Sequence, residues 1–145
     1  MICIGNITVG GTGKTPFAIY TFKFLKKLGY KPVFLTRGYG GLLKGPIEVK
    51  DTHKFKEVGD EALLLNKVGP TIVSKNRSLG AKLIENHESD FNIIIMDDGL
   101  QNYQLKQDIK FLLIDKNLKF GNEFCIPAGP LREPINQALL GIDAI

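Results

Sequence analysis

The chain has 145 residues, of which 43% are hydrophobic, and a formal net charge of +4 from 19 basic and 15 acidic side chains. This length suits one domain with a buried core, and the apolar content is too high for a disordered chain. The basic residues form no stripe, so the composition argues against a nucleic-acid partner. Cys3 and Cys125 lie far apart in the sequence and favour neither a disulfide scaffold nor a zinc site.

Predicted strands and helices alternate along the chain. In chain order the sequence predicts a strand at 2–7, a helix at 16–28, strands at 32–36 and 47–50, a helix at 60–68, a strand at 71–74, a helix at 76–86, strands at 92–96 and 110–114, and a short helix at 135–140. Residues 116–134 are predicted to be a loop. This alternation predicts an α/β domain with a mostly parallel sheet.

The two ends of the sequence fall close to predicted strands. The first strand begins almost at residue 1, and residues 143–145 are typical of a strand that is just beginning. We therefore expect the sequence to be part of a longer protein or the product of a broken gene.

The most informative motif lies between the first strand and the first helix and reads Thr8-Val-Gly-Gly-Thr-Gly-Lys-Thr15. It keeps the Gly-Lys-Thr end of the P-loop pattern but has Thr8 in place of the first glycine. In this pattern Lys14 reaches the β- and γ-phosphates and the Thr15 hydroxyl binds Mg²⁺. The alternative is a glycine-rich turn without a ligand. The predicted phosphate-binding residues are Thr8, Val9, Gly10, Gly11, Thr12, Gly13, Lys14 and Thr15.

A second motif, Asp97-Asp98-Gly99, follows the apolar strand predicted at 92–96. A buried strand that ends in an acid is typical of the Walker B arrangement, which places a carboxylate near the metal of a P-loop. An ordinary turn is the alternative. The spacing leaves open which of the two aspartates lies nearer the metal.

A third motif places Asp60 and Glu61 after Gly59, at the start of a predicted helix. These acids either act near the γ-phosphate, as a base or metal organiser, or simply cap the helix.

Two of the three arginines lie in turns framed by glycine or proline. Arg37 follows the second predicted strand, where ligands of open α/β sheets bind, and Arg132 lies in Gly-Pro-Leu-Arg-Glu-Pro. Both positions favour recognition of an anion such as phosphate, although a solvated loop or an internal Arg–Glu pair is the alternative. Arg77 begins a predicted helix and is expected at the surface.

These motifs together resemble one family, the tetraacyldisaccharide 4′-kinases of lipid A biosynthesis. The matching stretches, in the family's order, are Gly5-Asn-Ile-Thr-Val-Gly-Gly-Thr-Gly-Lys-Thr-Pro16, Thr36-Arg-Gly-Tyr-Gly40, Val58-Gly-Asp-Glu61, Asp97-Asp-Gly-Leu-Gln101 and Pro127-Ala-Gly-Pro-Leu-Arg-Glu-Pro134. The P-loop of this family also lacks the first glycine.

The resemblance implies a P-loop NTPase-like, three-layer α/β/α fold. It implies a kinase that moves the ATP γ-phosphate to the 4′-hydroxyl of a lipid A disaccharide 1-phosphate, in peripheral contact with the cytoplasmic face of the inner membrane. The implied catalytic residues are Lys14, Asp60 and Asp98. The implied metal ligands are Thr15, Asp97 and Glu61, and the implied substrate contacts are Arg37, Tyr39 and Arg132.

The chain departs from the family pattern in two ways. Asn102 stands where the family usually has His. Family members are also about twice as long, with a membrane-binding segment before the first strand and a C-terminal half that supplies a catalytic His. Residues 1–145 are therefore expected to form an incomplete P-loop nucleotide-binding domain. The alternatives are an inactive nucleotide-binding fragment and a partition-type ATPase switch, although Val9 replaces the extra lysine often found in such switches.

Overall fold

The computed structural model describes residues 1–145. The strands are β1 (Ile2–Gly5), β2 (Pro32–Thr36), β3 (Ile47–Glu48), β4 (Thr71–Val73), β5 (Ile93–Asp97) and β6 (Ile109–Leu112). The helices are α1 (Lys14–Lys27), α2 (Phe55–Val58), α3 (Asp60–Asn66), α4 (Arg77–Glu85) and α5 (Ile135–Ala138). The strands form one six-stranded sheet in the order β3-β4-β2-β5-β1-β6.

Neighbouring strands run parallel except for the pair β3 and β4. In the centre of the sheet Ile4 of β1 lies opposite Asp97 of β5. Parallel strands end at the same edge of a sheet, so the segments that follow β1, β2, β4 and β5 meet there. The predicted mostly parallel α/β fold is confirmed.

Helices cover both faces of the sheet because successive strand side chains point to opposite sides. Phe34 of β2 packs with Phe22 of α1 on one face, and their rings stack with centroids 4.6 Å apart. The neighbouring Leu35 packs with Ile84 of α4 on the other face. Ala138 of α5 lies on that second side, in the cluster of Met96 and Leu112. The predicted three-layer α/β/α arrangement is therefore present.

Several element boundaries differ from the prediction. Helix α1 begins at Lys14 rather than at residue 16, and β1 ends at Gly5 rather than at residue 7. Helix α2 was not predicted, because its single turn is too short to show helical periodicity. Near the end of the chain Ala144 forms a parallel bridge with Phe111 of β6, as expected for a strand beginning at 143–145.

The longest helix, α1, has 14 residues. No helix of the chain combines the length and the apolar character that crossing a membrane requires.

Candidate functional site

The glycine-rich loop between β1 and α1 is held by the backbone of a distant segment. The Val9 N–H donates to the carbonyl of Pro130 at 2.9 Å, and Thr8 forms an antiparallel bridge with Leu131. Gly13 has a φ of 79°, a left-handed conformation that glycine adopts without a Cβ penalty, and α1 begins at the next residue. The N–H groups of the first turn of α1 therefore face the loop, an arrangement that favours anions.

The side chain of Lys14 bridges the ends of two parallel strands. Its Nζ lies 3.0 Å from Oδ1 of Asn6, which follows β1, and 3.6 Å from Oδ1 of Asp98, which follows β5. Lys14 and Asp98, from motifs whose residues lie 84 positions apart in the chain, thus meet at this ammonium group. A cation and a carboxylate therefore lie together at the edge of the sheet, where P-loop proteins bind phosphate and its metal.

Asp97 is buried at the end of β5, with 1% of its surface exposed, and its Oδ1 has no hydrogen-bond partner. Burial, together with the negative charges of Glu61 and Asp98, raises the pKa of Asp97 to about 7, although the positive charges of Lys14 and Arg77 oppose the rise. A buried carboxylate with a free oxygen and two acidic neighbours gains stability from an additional cation.

Two oxygen donors, one from each of the two main motifs, suit a magnesium ion. The Thr15 hydroxyl, in the first turn of α1, is half-buried and makes no hydrogen bond within the chain. No group of three or more His, Cys, Asp or Glu side chains is arranged to hold a metal. Mg²⁺ in phosphate sites typically takes one or two carboxylates and completes its shell with phosphate oxygens and waters. The orphaned Oδ1 of Asp97 and the Thr15 hydroxyl meet that requirement.

Asp98 is held by a second cation besides Lys14. The backbone of Asp98 is left-handed, with a φ of 53°, a conformation that Asp tolerates better than most residues. Nη1 of Arg132 lies 3.1 and 3.3 Å from its two carboxylate oxygens. The same Nη1 lies 3.4 Å from Oε1 of Gln101, whose Nε2 donates to the backbone carbonyl of Asn6 at 3.2 Å. These contacts complete a ring of polar residues made of Asn6, Lys14, Asp98, Arg132 and Gln101.

A basic cavity of about 550 Å³ adjoins this ring. Four basic side chains and one carboxylate line it, namely Arg37, Lys75, Arg77, Arg132 and Asp98. Asn102, at the position where the resembled family has His, also lines the cavity. The excess of positive charge in a concave site favours an anionic ligand, and arginine forks match the oxygens of phosphate.

The expectation that Arg77 lies at the surface is wrong. Its side chain is 3% exposed, and its two terminal nitrogens donate to the carbonyl of Ser74 at 2.6 Å and to that of Asp97 at 3.5 Å. Burial lowers the pKa of Arg77 to about 10, with a further contribution from Arg37. Its Nε has no partner. One sequence signal could have indicated that Arg77 is buried: it follows β4, at the same edge of the sheet as the other motifs.

Asp60 and Tyr39 are both exposed, and neither lines the basic cavity. The loops that carry them nevertheless pack closely: the backbone of Gly59 lies so near the carbonyl oxygen of Tyr39 that a Cβ on Gly59 would clash with it. Gly59 has a φ of 87°, so glycine is required there on both counts. The Asp60 side chain makes no hydrogen bond or ion pair within the chain, and Asp60 begins α3. Glu61 is near enough to affect the pKa of Asp97.

Sequence reasoning missed two polar residues of the ring, Asn6 and Gln101. Asn6 is fully buried after an apolar strand, and Gln101 is half-buried after Asp97-Asp98-Gly99. Both lie within the stretches that resemble the kinase family, but nothing in their spacing predicts which atoms they contact.

Comparison with known proteins identifies similar chains. The family model for tetraacyldisaccharide-1-P 4′-kinase matches residues 1–145. The tetraacyldisaccharide 4′-kinase of Methylobacterium nodulans is 47% identical over 146 aligned residues, which cover 100% of this chain and 43% of that protein. The corresponding protein of Paramagnetospirillum magneticum is 49% identical, over 100% of this chain and 44% of its own length.

A solved structure is also similar. The crystal structure of LpxK from Aquifex aeolicus in complex with ATP superposes with a TM-score of 0.79 at 33% sequence identity. The match covers 94% of this chain and 44% of that protein. The chain thus spans less than half the length of the relatives it matches. Since the family model covers every residue, the chain belongs to the tetraacyldisaccharide 4′-kinase family.

Proposed function

We propose that this chain is the nucleotide-binding part of a kinase that transfers the γ-phosphate of ATP to the 4′-hydroxyl of a lipid A disaccharide 1-phosphate. The observation that carries the proposal is the meeting of Lys14 and Asp98, with Nζ 3.6 Å from Oδ1, beside a cavity rich in arginine. The names of the relatives support the reaction, and the ATP complex of the Aquifex aeolicus protein supports the nucleotide.

Residues 8–15 are proposed to bind the phosphates of ATP. Their backbone N–H groups and the first turn of α1 supply oriented donors, and Lys14 supplies the charge that the γ-phosphate needs as the bond to it breaks. The Asp98 carboxylate contacts both Lys14 and Arg132. We expect it to keep both cations oriented when phosphate binds.

Thr15, Asp97 and Glu61 are proposed to hold Mg²⁺ together with ATP. When bound, Mg²⁺ neutralises phosphate charge. For the chain itself, binding a cation next to Asp97 favours the ionised carboxylate, whose pKa burial otherwise raises to about 7.

Asp60 is proposed to accept the proton of the 4′-hydroxyl as that oxygen attacks the γ-phosphorus. It is exposed and free of internal partners, so it can reach a substrate at the surface of the site. A proton acceptor must lie within hydrogen-bond reach of the hydroxyl, so the sugar is proposed to bind between Asp60 and the phosphate loop.

The acceptor is proposed to contact Arg37 and Arg132 in the basic cavity, where Arg77 and Lys75 add charge, and Tyr39 outside that cavity. A disaccharide 1-phosphate brings an anion that four basic side chains suit. Because the acceptor is a lipid, we also propose that the protein meets it peripherally at the cytoplasmic face of the inner membrane. Residues 1–145 are proposed to form one P-loop domain within this activity.

The test has two stages. Calorimetric titration with ATP, in the presence and absence of Mg²⁺, measures nucleotide binding by the 145-residue chain. A second assay measures transfer of labelled γ-phosphate to the lipid disaccharide in detergent micelles, with Lys14→Ala as the matched control.

Mg²⁺-dependent binding with phosphate on the lipid supports the full proposal. Binding without transfer supports the nucleotide role and contradicts catalysis by this chain alone. ATP hydrolysis that ignores the lipid favours a partition-type ATPase instead, and absence of binding contradicts the proposal altogether.

A further inference from the structure

The Asn6 side chain is buried where β1 gives way to the phosphate loop, and 0% of its surface is exposed. A buried amide costs free energy unless its donors and its acceptor are paired. The Asn6 amide is fully engaged. Nδ2 lies 2.8 Å from the carbonyl oxygen of Thr8 and 3.4 Å from that of Gly10, and Oδ1 lies 3.0 Å from Nζ of Lys14.

The chemistry of the partners fixes the orientation of this amide. Two of them are carbonyl oxygens, which only accept hydrogen bonds, and the third is an ammonium, which only donates. Turning the amide over would oppose nitrogen to ammonium and oxygen to carbonyl. All three contacts go to the loop at residues 8–14.

We propose that Asn6 is a positioning residue for the nucleotide. It holds the Lys14 ammonium and the backbone of Thr8 and Gly10 in the conformation that receives the phosphates. This role rests on the proposed function, since it serves the same site. Asn6 touches no phosphate itself and acts through Lys14 and the loop.

The neutral amide explains why asparagine suits this place better than aspartate. A carboxylate at Oδ1 would neutralise much of the Lys14 charge and would add negative charge where phosphates bind. Asp98, the other partner of Lys14, lies farther away at 3.6 Å and is shared with Arg132. Lys14 is therefore oriented before binding and keeps its charge for the ligand.

The experiment compares Asn6→Ala and Asn6→Asp with the wild-type chain in calorimetric titrations with MgATP. We expect Asn6→Ala to bind about tenfold more weakly, because positioning of Lys14 and the loop is lost together. Asn6→Asp keeps the shape and an oxygen for Lys14, yet we expect it to bind more weakly than Asn6→Ala because of its charge.

Thr71→Val is the matched control for a lost buried hydrogen bond far from the site. The Thr71 hydroxyl is buried at the opposite end of the sheet and donates to the carbonyl of Gly69 at 3.0 Å. We expect the thermal midpoint of this variant to fall while its affinity for MgATP stays within about twofold of wild type. Amide hydrogen exchange should rise at residues 9–13 in Asn6→Ala and stay unchanged in β5.

The proposal is overturned if both Asn6 variants bind MgATP within about twofold of wild type, or if Thr71→Val loses as much affinity as Asn6→Ala. If neither Asn6 variant folds, NMR of the wild-type chain decides. The Nδ2 protons of Asn6 should exchange slowly before ligand is added and shift when MgATP binds. Unprotected and unshifted resonances overturn the proposal. Failure of the wild-type chain to bind MgATP would contradict the proposed function itself. Normal binding by the wild-type chain and by both Asn6 variants would contradict only the role of Asn6.

Discussion

Nη1 of Arg132 lies within 3.3 Å of both carboxylate oxygens of Asp98, a residue 34 positions earlier in the chain. The same carboxylate is 3.6 Å from Nζ of Lys14. Asp98 therefore lies between a cation of the phosphate loop and a cation of the basic cavity. The proposed nucleotide site and the proposed acceptor site share this one side chain, so we expect a change at one of them to affect the other.

The first prediction concerns Arg132→Ala. Removing this guanidinium leaves Asp98 free to pair more closely with Lys14 and lowers the positive potential of the site. We expect MgATP affinity to fall about three- to tenfold, as for loss of one charge-assisted contact. Titration calorimetry measures it, with Lys106→Ala as control because Lys106 is an exposed cation paired only with Asp108. Equal losses in the two variants would show a general charge effect and contradict the prediction.

The second prediction concerns Lys14→Ala. The ammonium is the cation of the proposed phosphate loop, and Lys14 is half-buried, so its loss removes a charge-assisted contact to phosphate. We expect MgATP affinity to fall about 100-fold or more, with a larger loss of phosphoryl transfer where transfer is measurable. Near-normal affinity would remove residues 8–15 from the nucleotide site.

The third prediction concerns the aspartate pair. If Asp97 and Asp98 make binding metal-dependent, the wild-type chain binds ATP more tightly with Mg²⁺ than with a chelator. We expect the double variant Asp97→Asn with Asp98→Asn to lose that difference, because amide oxygens attract a divalent cation less than carboxylates do. Calorimetric titration under the two conditions measures it. A double variant that keeps the full Mg²⁺ effect would place the metal elsewhere.

Much of the fold follows from local sequence signals. The apolar runs at 32–36 and 92–96 form central strands, since a parallel sheet covered on both faces needs continuous apolar strands. Glycine and proline mark the turns between elements. The two-residue strand β3 and the one-turn helix α2 leave too little periodicity to set their bounds.

The site could be predicted only to the level of its segments. The sequence predicts the aspartate pair near the metal of the phosphate loop, and Arg37 at the edge of the sheet where ligands bind. The depth of a side chain depends on how neighbouring loops cover it, which no spacing encodes. Arg77, expected at the surface because it begins a helix, is 3% exposed. The contacts of Gln101 with Asn6 and Arg132 likewise depend on how segments distant in the chain pack together.

The fourth prediction concerns Arg77→Met. This change keeps an unbranched side chain but leaves the carbonyls of Ser74 and Asp97 without their donor. We expect the free energy of unfolding to fall by about 1–3 kcal/mol, the usual cost of unpaired buried acceptors. Urea denaturation measures it. Arg37→Met is the matched control, because Arg37 is exposed and makes no hydrogen bond within the chain, and its stability should change little.

The last prediction concerns the pH dependence of stability in Asp97→Asn. Burial, with smaller contributions from the charges of Glu61 and Asp98, raises the pKa of Asp97 in the folded chain from 3.8 to about 7. Below the unfolded value the carboxyl is protonated in both states and contributes no difference. Between about 4 and about 7 the folded chain binds more protons than the unfolded chain, so stability from this group falls as the pH rises.

Above about pH 7 the full cost of ionising the buried carboxyl is present, and it amounts to a few kcal/mol at most. Asp97→Asn cannot ionise, so it escapes that cost. We expect its stability, relative to wild type, to increase from about pH 4 to about pH 7 and then to level off. Urea denaturation across this range, with a chelator present, measures the difference. Asp90→Asn, which alters an exposed carboxylate 3.5 Å from Lys31, should show no comparable trend. A stability difference for Asp97→Asn that stays constant with pH would mean that the Asp97 carboxyl is already compensated in the folded chain.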